Sequence, residues 1–532
     1  MQCKALLSYF QYLNLSIQNR VLAEGTPKIT SQKFASFEES ILKMKLAIMK
    51  FGVTIMFICC STLIQSTSIQ NIKSIIASDA VIPNLVDKLF LLSCENEVNS
   101  LDFNTTISNI NEDFISSPII TCLNLEANHI ENIERGAFNK LPNLTHLFLS
   151  YNRLHVSNFF SFGGHYTLQV LVMNNAVNAA MYSSYNNYIV QIFGEYPNLK
   201  ILSLRKNSFS DLHFSPETPF SEALFANTTV STITQKIPFP KLEILDLSEN
   251  NIQETNFLKL LPNSLYFLDL HNNKLESFEW NIADKLLALN LDNNNFNYIS
   301  NWFRPTLSMA GLKDLLYLSI STNNIRSIES TAFQDNNKLV YLNLSVNNIR
   351  SLHPDTFANL QYLKQLDLSQ NELENVPQIS NEIGITSLYI NNNNITKLMS
   401  NVFMQMPKLT TLVLGENQIN EIDVEAFANL SVLWELDLSR NKLSFLPEGW
   451  AESLVSLEYL DLSDNQFTSL ESLSLTNTLS LIEIYLPENP LAHLNVKYFE
   501  SLPQNLTIDL INKSSFAKWT PTPVPVRDYY GY

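Results

Sequence analysis

Catalysis would need histidines, cysteines, serines and carboxylates gathered at fixed spacings, and this chain scatters them. Its eight histidines stand singly, with no H-E-x-x-H for zinc-assisted hydrolysis and no G-x-S-x-G for an acyl-transfer serine. Each is read as a solvated loop or strand residue. The five cysteines, Cys3, Cys59, Cys60, Cys94 and Cys122, are too few for a disulfide scaffold, and none has the spacing of a zinc site. Only 11 glycines occur in 532 residues, which excludes a glycine-rich phosphate loop. Lys+Arg 34 against Asp+Glu 51 gives a net charge of −17, so the field repels polyanions and argues against nucleic acid as a partner. No cofactor, metal or enzymatic activity is expected, and the composition points to a binding protein.

Contact chemistry remains. Phe267, Tyr317, Tyr341 and Tyr389 in the middle of the chain, and Tyr459 and Tyr485 toward its end, each stand beside a leucine or isoleucine in an alternating segment. In a strand such positions face away from the core, so these six are expected to be exposed aromatics on one sheet face and are the candidate ligand contacts. Glu435 and Glu483 share that stripe. The alternative is variable, solvent-facing filler with β propensity. Asp246, Asp269, Asp367, Asp437 and Asp461 resemble an acidic row but recur inside Leu-Asp-Leu wording, so they are read as structural.

The elements that must position these residues repeat. Leu433, Leu436, Leu438, Asn441 and Leu443 have the spacing L-x-x-L-x-L-x-x-N-x-L. The asparagines Asn347, Asn371, Asn393, Asn417, Asn441, Asn465 and Asn489 follow one another at intervals of 24, 22, 24, 24, 24 and 24 residues. Upstream, Asn128, Asn152, Asn207, Asn250, Asn273, Asn294 and Asn323 continue the series, with Ala176 where one asparagine is missing, which makes about fifteen repeats. The leucines point into a coil that one repeat cannot close, so stacking is obligatory; each buried leucine contributes roughly 1.5–3 kcal/mol before ordering entropy is subtracted. The asparagine side chain is expected to satisfy turn backbone groups. Phe138, Phe333, Phe357, Phe403, Phe427 and Phe499, with Trp450 in register, recur on the outer limb and are read as core. Cap strands are expected near Leu101 and Ile508.

This pattern resembles extracellular leucine-rich-repeat proteins, in particular Toll-type receptor ectodomains and the secreted leucine-rich immune proteins of arthropods, over roughly residues 94–510. The resemblance implies an α/β fold: a leucine-rich-repeat solenoid, or horseshoe, of about fifteen 24-residue repeats with a parallel concave sheet. It also implies a surface that binds a protein or extracellular ligand. One departure is at the C-terminal end, where the family commonly reads N-P-W-x-C-x-C. Here it reads Asn489-Pro490-Leu491-Ala492-His493-Leu494, without cysteines.

The ends divide the chain further. Residues 51–64 are an apolar run after Lys43, Lys45 and Lys50, the layout of a secretory leader, with residues 46–64 as a signal-anchor in the alternative. We therefore expect an upstream extension over 1–43, a signal peptide over 44–68 and an N-terminal cap over 69–119. Repeats would occupy 120–495, a C-terminal cap 496–512 and an unfolded Pro-rich tail 513–532. After the leader is removed Cys94 and Cys122 are the cysteines left; they are expected to form a cap disulfide, the alternative being two free thiols. Asn-x-Ser/Thr glycosylation sites after residue 68 are Asn104, Asn143, Asn227, Asn343, Asn394, Asn429, Asn505 and Asn512.

Two segments, 177–196 and 208–240, exceed the repeat length and are a secondary binding candidate. Neither a transmembrane run nor a Toll-type signalling domain is read after Leu510. Three functions follow as expectations: a secreted recognition protein in innate immunity, the ectodomain of a Toll-like or adhesion receptor whose membrane segment is missing from the sequence, and an extracellular adhesion or matrix component.

Overall fold

The computed structural model describes Cys94 and residues 99–510, apart from 104–105, 113, 156–157, 179–187, 216–238, 280–284, 302–305, 476–479, 493–494, 496 and 499–505. The expected extension, leader and tail lie outside the described residues, as do Phe499 and the sequons at Asn104, Asn227, Asn505 and Asn512. All described residues belong to one unit, 75–532.

One rung is built from three residues. In Glu435–Asp437 the central Leu436 points into the coil and is buried, while its neighbours face the other way, as alternation along a strand requires. The rung pairs in parallel with Thr411–Val413 on one side and Tyr459–Asp461 on the other, leucine opposite leucine. Repetition gives a single parallel sheet of seventeen strands, from Ser100–Asp102 to Thr507–Asp509. The first and last are the two cap strands, and each strand between them belongs to one repeat. The core is a continuous column of leucine, isoleucine and phenylalanine beneath this sheet, including Phe138, Phe333, Phe357, Phe403, Phe427 and Trp450.

The outer limb is almost without helix. Among the described residues it carries 3-10 turns at Asn256–Leu260 and Glu471–Leu473 and several short parallel pairs, such as Lys397–Leu398 with Glu421–Ile422. Phenylalanines stack there from repeat to repeat: Phe403 and Phe427 lie 5.9 Å apart with nearly parallel planes, and Phe427 meets Trp450 edge-on at 5.7 Å. The two long segments also contact each other. Ile189–Phe193 from the first and Asp211–Ser215 from the second form a parallel pair over five residues.

The asparagines close the turns in which they stand. Asn417 Nδ2 donates to the carbonyls of Ile390 at 3.0 Å, Leu414 at 3.0 Å and Gly415 at 3.3 Å, and its Oδ1 accepts the N–H of Ile395 at 3.1 Å. Asn371, Asn393, Asn441 and Asn465 repeat that arrangement. The residue before each asparagine is left-handed, from Ala127 to Glu488 and including Val346 at φ 53°. None is glycine, so each turn holds a conformation that L side chains disfavour.

Candidate functional site

Two columns of side chains stand on the sheet face opposite the core, one on each side of the inward leucines. The first runs through Phe267, Ala288, Tyr317, Tyr341, Gln365 and onward to Tyr459; the second runs through Asp269, Asn290, Ser319, Asn343, Asp367 and onward to Tyr485. All six candidate aromatics lie on this face, split between the columns.

Their expected exposure requires correction. Phe267 is 1% exposed, Tyr317 5% and Tyr341 8%, and Tyr485 is also buried; only Tyr389 and Tyr459 are half-buried. Strands about 4.8 Å apart set large side chains against one another. Tyr317 and Tyr341 stack with centroids 4.7 Å apart and planes within 12°, and Phe267 lies in register between Ile244 and Ala288. Tyr459 is met edge-on by Trp434 at 5.5 Å, a half-buried neighbour absent from the sequence-derived stripe. It sits one position before the first column, where the alternation of the strand gives no signal for a contact residue.

The aspartates shape the turn after each rung. Asp461 Oδ1 accepts the Ser463 N–H at 2.9 Å and its hydroxyl at 2.6 Å, and Asp367 does the same with Ser369. Asn343 fills this position with an amide, and its Oδ1 accepts the Ser345 N–H at 2.9 Å. Burial raises the Asp461 carboxyl to about 6, helped by the neighbouring charge of Asp437 and opposed by the Ser463 bonds. Burial likewise raises Asp292 to about 6 against hydrogen bonds from Ser319 and Ser321. His271 is half-buried: desolvation opposes its charge, but Asp269 at 2.7 Å and Asp246 favour the imidazolium and lift it to about 9. His165, which is buried, and the half-buried, ion-paired His271 depart from the solvated loop or strand residue expected of every histidine.

Other assigned residues fall as follows. Cys94 and Cys122 are joined by a disulfide with Cα atoms 5.7 Å apart, tying a residue upstream of the first cap strand to the first repeat. Among the described sequons, Asn143, Asn394 and Asn429 are exposed and Asn343 is half-buried on the sheet beside Tyr341. Asn143 Nδ2 donates to the Pro118 carbonyl at 2.6 Å. Asn429 and Ser431 border an open cleft of about 600 Å³ with Glu382, Met404, Gln405 and Val455. Among the described residues no group of three or more His, Cys, Asp or Glu side chains is placed to hold a metal ion, and no helix is long and apolar enough to cross a membrane. The possible signal-anchor at 46–64 lies outside the described residues.

Comparison with known proteins agrees with this architecture. The family model described as leucine rich repeat matches residues 100–175, 305–349, 338–379, 383–443, 407–467 and 433–491. Podocan from Mus musculus is 28% identical over 215 residues, covering 39% of this chain and 29% of podocan. The transforming growth factor beta activator LRRC32 from Mus musculus is 28% identical over 201 residues, 32% of this chain and 30% of the relative. Toll-like receptor 3 from Boselaphus tragocamelus is 34% identical over 176 residues, 32% of this chain and 16% of the receptor. The chain thus spans less than a third of the length of each of these relatives. Among solved structures, the TLR13–ssRNA13 complex aligns with a TM-score of 0.41 at 20% identity, covering 76% of this chain and 69% of that one.

Proposed function

Because the chain is a leucine-rich-repeat protein, we propose that it is a secreted recognition protein that binds another protein through the outward face of its sheet. The observation that carries this reading is the pair of columns together with the position just before the first. Stacking dictates the leucines and closure dictates the asparagines, but neither dictates what stands at 389, 434 or 459. Those places hold Tyr389, Trp434 and Tyr459, half-buried and set on a rigid support. Such aromatics offer contact area at low entropic cost.

Secretion is supported by the leader-like segment 44–68 and by the disulfide between Cys94 and Cys122, a bond suited to an oxidising compartment. A role in innate immunity rests on the resemblance to Toll-type receptors. That same match favours the second reading, the ectodomain of a Toll-like or adhesion receptor.

Expression of the full chain in cultured animal cells tests the proposal. The expected product is found in the medium, begins near Ile69 and has no titratable thiol at Cys94 or Cys122. A membrane-held chain beginning before Met44 would establish the signal-anchor; a reduced cytosolic chain would end the proposal. Mass spectrometry at Asn343 sharpens the site, because a glycan there would keep a protein partner away from Tyr317 and Tyr341. With Asn343 bare, truncating Tyr317 and Tyr341 together should weaken an identified complex by about 2 kcal/mol. With it occupied, the same loss should follow truncation of Tyr389 and Tyr459.

A further inference from the structure

We propose that the rungs Glu435–Asp437, Tyr459–Asp461 and Glu483–Tyr485 form a docking surface for an extended, lysine- or arginine-rich segment of a protein partner, with Trp434 and Tyr459 receiving its apolar side chains. The inference rests on the recognition reading above and assigns a chemistry to its partner.

The surface is of one sign. From Gln365 to Asp509 the two columns contain Asp367, Glu435, Asp437, Asp461, Glu483 and Asp509, and neither a lysine nor an arginine. The inward residues between them, Leu436, Leu460 and Ile484, are buried in the core, so the acids share the opposite face. Asp437 and Asp461 are register partners on neighbouring strands, as are Glu435 and Tyr459, and Tyr459 and Glu483.

What these carboxylates touch is neutral. Glu435 accepts the Thr411 hydroxyl at 3.1 Å, Asp437 the Ser439 N–H at 2.8 Å, and Asp461 the Ser463 N–H and hydroxyl. Among the described residues none of Glu435, Asp437, Asp461 and Glu483 forms an ion pair. Arg440, at the rim, is paired with Glu416 instead. Burial raises the carboxyls of Glu435, Asp437 and Asp461, the last also through Asp437, and the Arg440 charge offsets only part of this at Asp437 and Asp461, so the face carries a net electrostatic cost. An incoming cation removes that cost, whereas an anion increases it.

The geometry suits an extended occupant. Successive rungs present an acid or an aromatic at strand spacing, and a chain lying across them meets Glu435, Tyr459 and Glu483 in one column and Asp437, Asp461 and Tyr485 in the other. Trp434 and Tyr459 meet edge-on and form the apolar patch beside these charges.

The test uses the full secreted chain and a fluorescein-labelled peptide that repeats Lys-Ser-Lys-Leu three times, followed by anisotropy; its Glu-Ser-Glu-Leu counterpart is the control. Glu435→Gln, Asp437→Asn, Asp461→Asn and Glu483→Gln are combined in one variant. Asn343 already makes the turn bond with an amide, so the two Asp→Asn changes keep the fold while removing charge. The expected loss of lysine-peptide affinity is about tenfold or more, against about twofold or less when Glu374, Glu425, Glu448 and Glu452, outside the sheet, are changed to Gln. Trp434→Ala should weaken binding several-fold with little change in its salt dependence.

Equal losses from both charge variants would assign the binding to diffuse acidity and overturn the proposal. So would an unbound lysine peptide or equal binding of the glutamate peptide. These outcomes leave the recognition reading intact, because that reading is decided by the location of the chain and by the tyrosine truncations given above, made against its own partner.

Discussion

The stretch 339–486 and the stretch 168–270 stack the same three-residue rung, yet they satisfy its turn in different ways. In the first, each repeat asparagine supplies both the donor for carbonyls of its own turn and of the preceding repeat and the acceptor for an N–H of that preceding repeat. In the second, the asparagine is absent at Ala176, and the Ala176 carbonyl itself accepts the Leu154 N–H at 2.8 Å. Asn207 still reaches across the break, its Oδ1 accepting the Ala176 N–H at 2.8 Å and its Nδ2 donating to the Met173 carbonyl at 2.7 Å. The two long segments flank this place and pair with each other. Regular spacing thus needs the side-chain amide, while a rung that departs from it is closed by backbone brought nearer. The requirement is satisfaction of the buried polar groups, and the asparagine is one solution to it.

Removing the amide where the spacing is regular should have the largest effect. Asn417→Ala strands the N–H of Ile395 and deprives three carbonyls of a donor, with no backbone group at hand to replace it. A loss of about 3 kcal/mol is expected in the first denaturant-induced transition, with faster amide exchange at Ile395. An unchanged midpoint would show that the regular repeats tolerate the loss as the Ala176 rung does, and would remove the contrast.

The converse change restores the repeat wording where it is broken. In Ala176→Asn the new side chain must enter a fully buried site whose acceptor role the main-chain carbonyl already fills. Relieving the overlap would pull the carbonyl away from Leu154. Stability should fall by about 1–2 kcal/mol in the same assay, the scale of modest overpacking. A gain would mean that the backbone contact is a poor substitute for the amide.

Most of the fold was legible because its signals are periodic. The leucines of the rung, the outer-limb phenylalanines and the asparagine ladder each recur at repeat spacing, and the solenoid follows from that recurrence. The outward face of the sheet was legible in place but not in exposure. Alternation puts Phe267, Tyr317 and Tyr341 on the outward side, yet their burial depends on which rings stand beside them in register, a property of two rungs that no single repeat displays. The pairing of Ile189–Phe193 with Asp211–Ser215 left a trace in the alternation of Val190, Ile192 and Leu212. Trp434 left none, since its position falls outside the columns that alternation selects. Nor did residue type mark the left-handed turn residues, which include alanine, valine, glutamate and arginine.

That last group supplies the smallest expected effect. Val346 holds φ at 53° before Asn347, and its N–H donates to the Ser369 carbonyl at 2.9 Å. A β-branched residue is strained in this conformation by roughly 1–2 kcal/mol, which the rung-to-rung hydrogen bond and the adjacent asparagine must offset. Glycine relieves the strain and keeps the N–H, but it also adds freedom to the unfolded chain, worth about 0.4–1 kcal/mol in the opposite sense. Val346→Gly should therefore raise stability slightly, by less than about 1 kcal/mol. Asn175→Gly, at φ 48° in the irregular stretch, should gain less, since asparagine already tolerates the left-handed region. Calorimetry on the two variants separates the terms. A larger gain at position 175 than at 346 would place the strain in the conformation of the broken rung, and the regular repeats would then owe nothing to forcing valine into a turn that suits glycine.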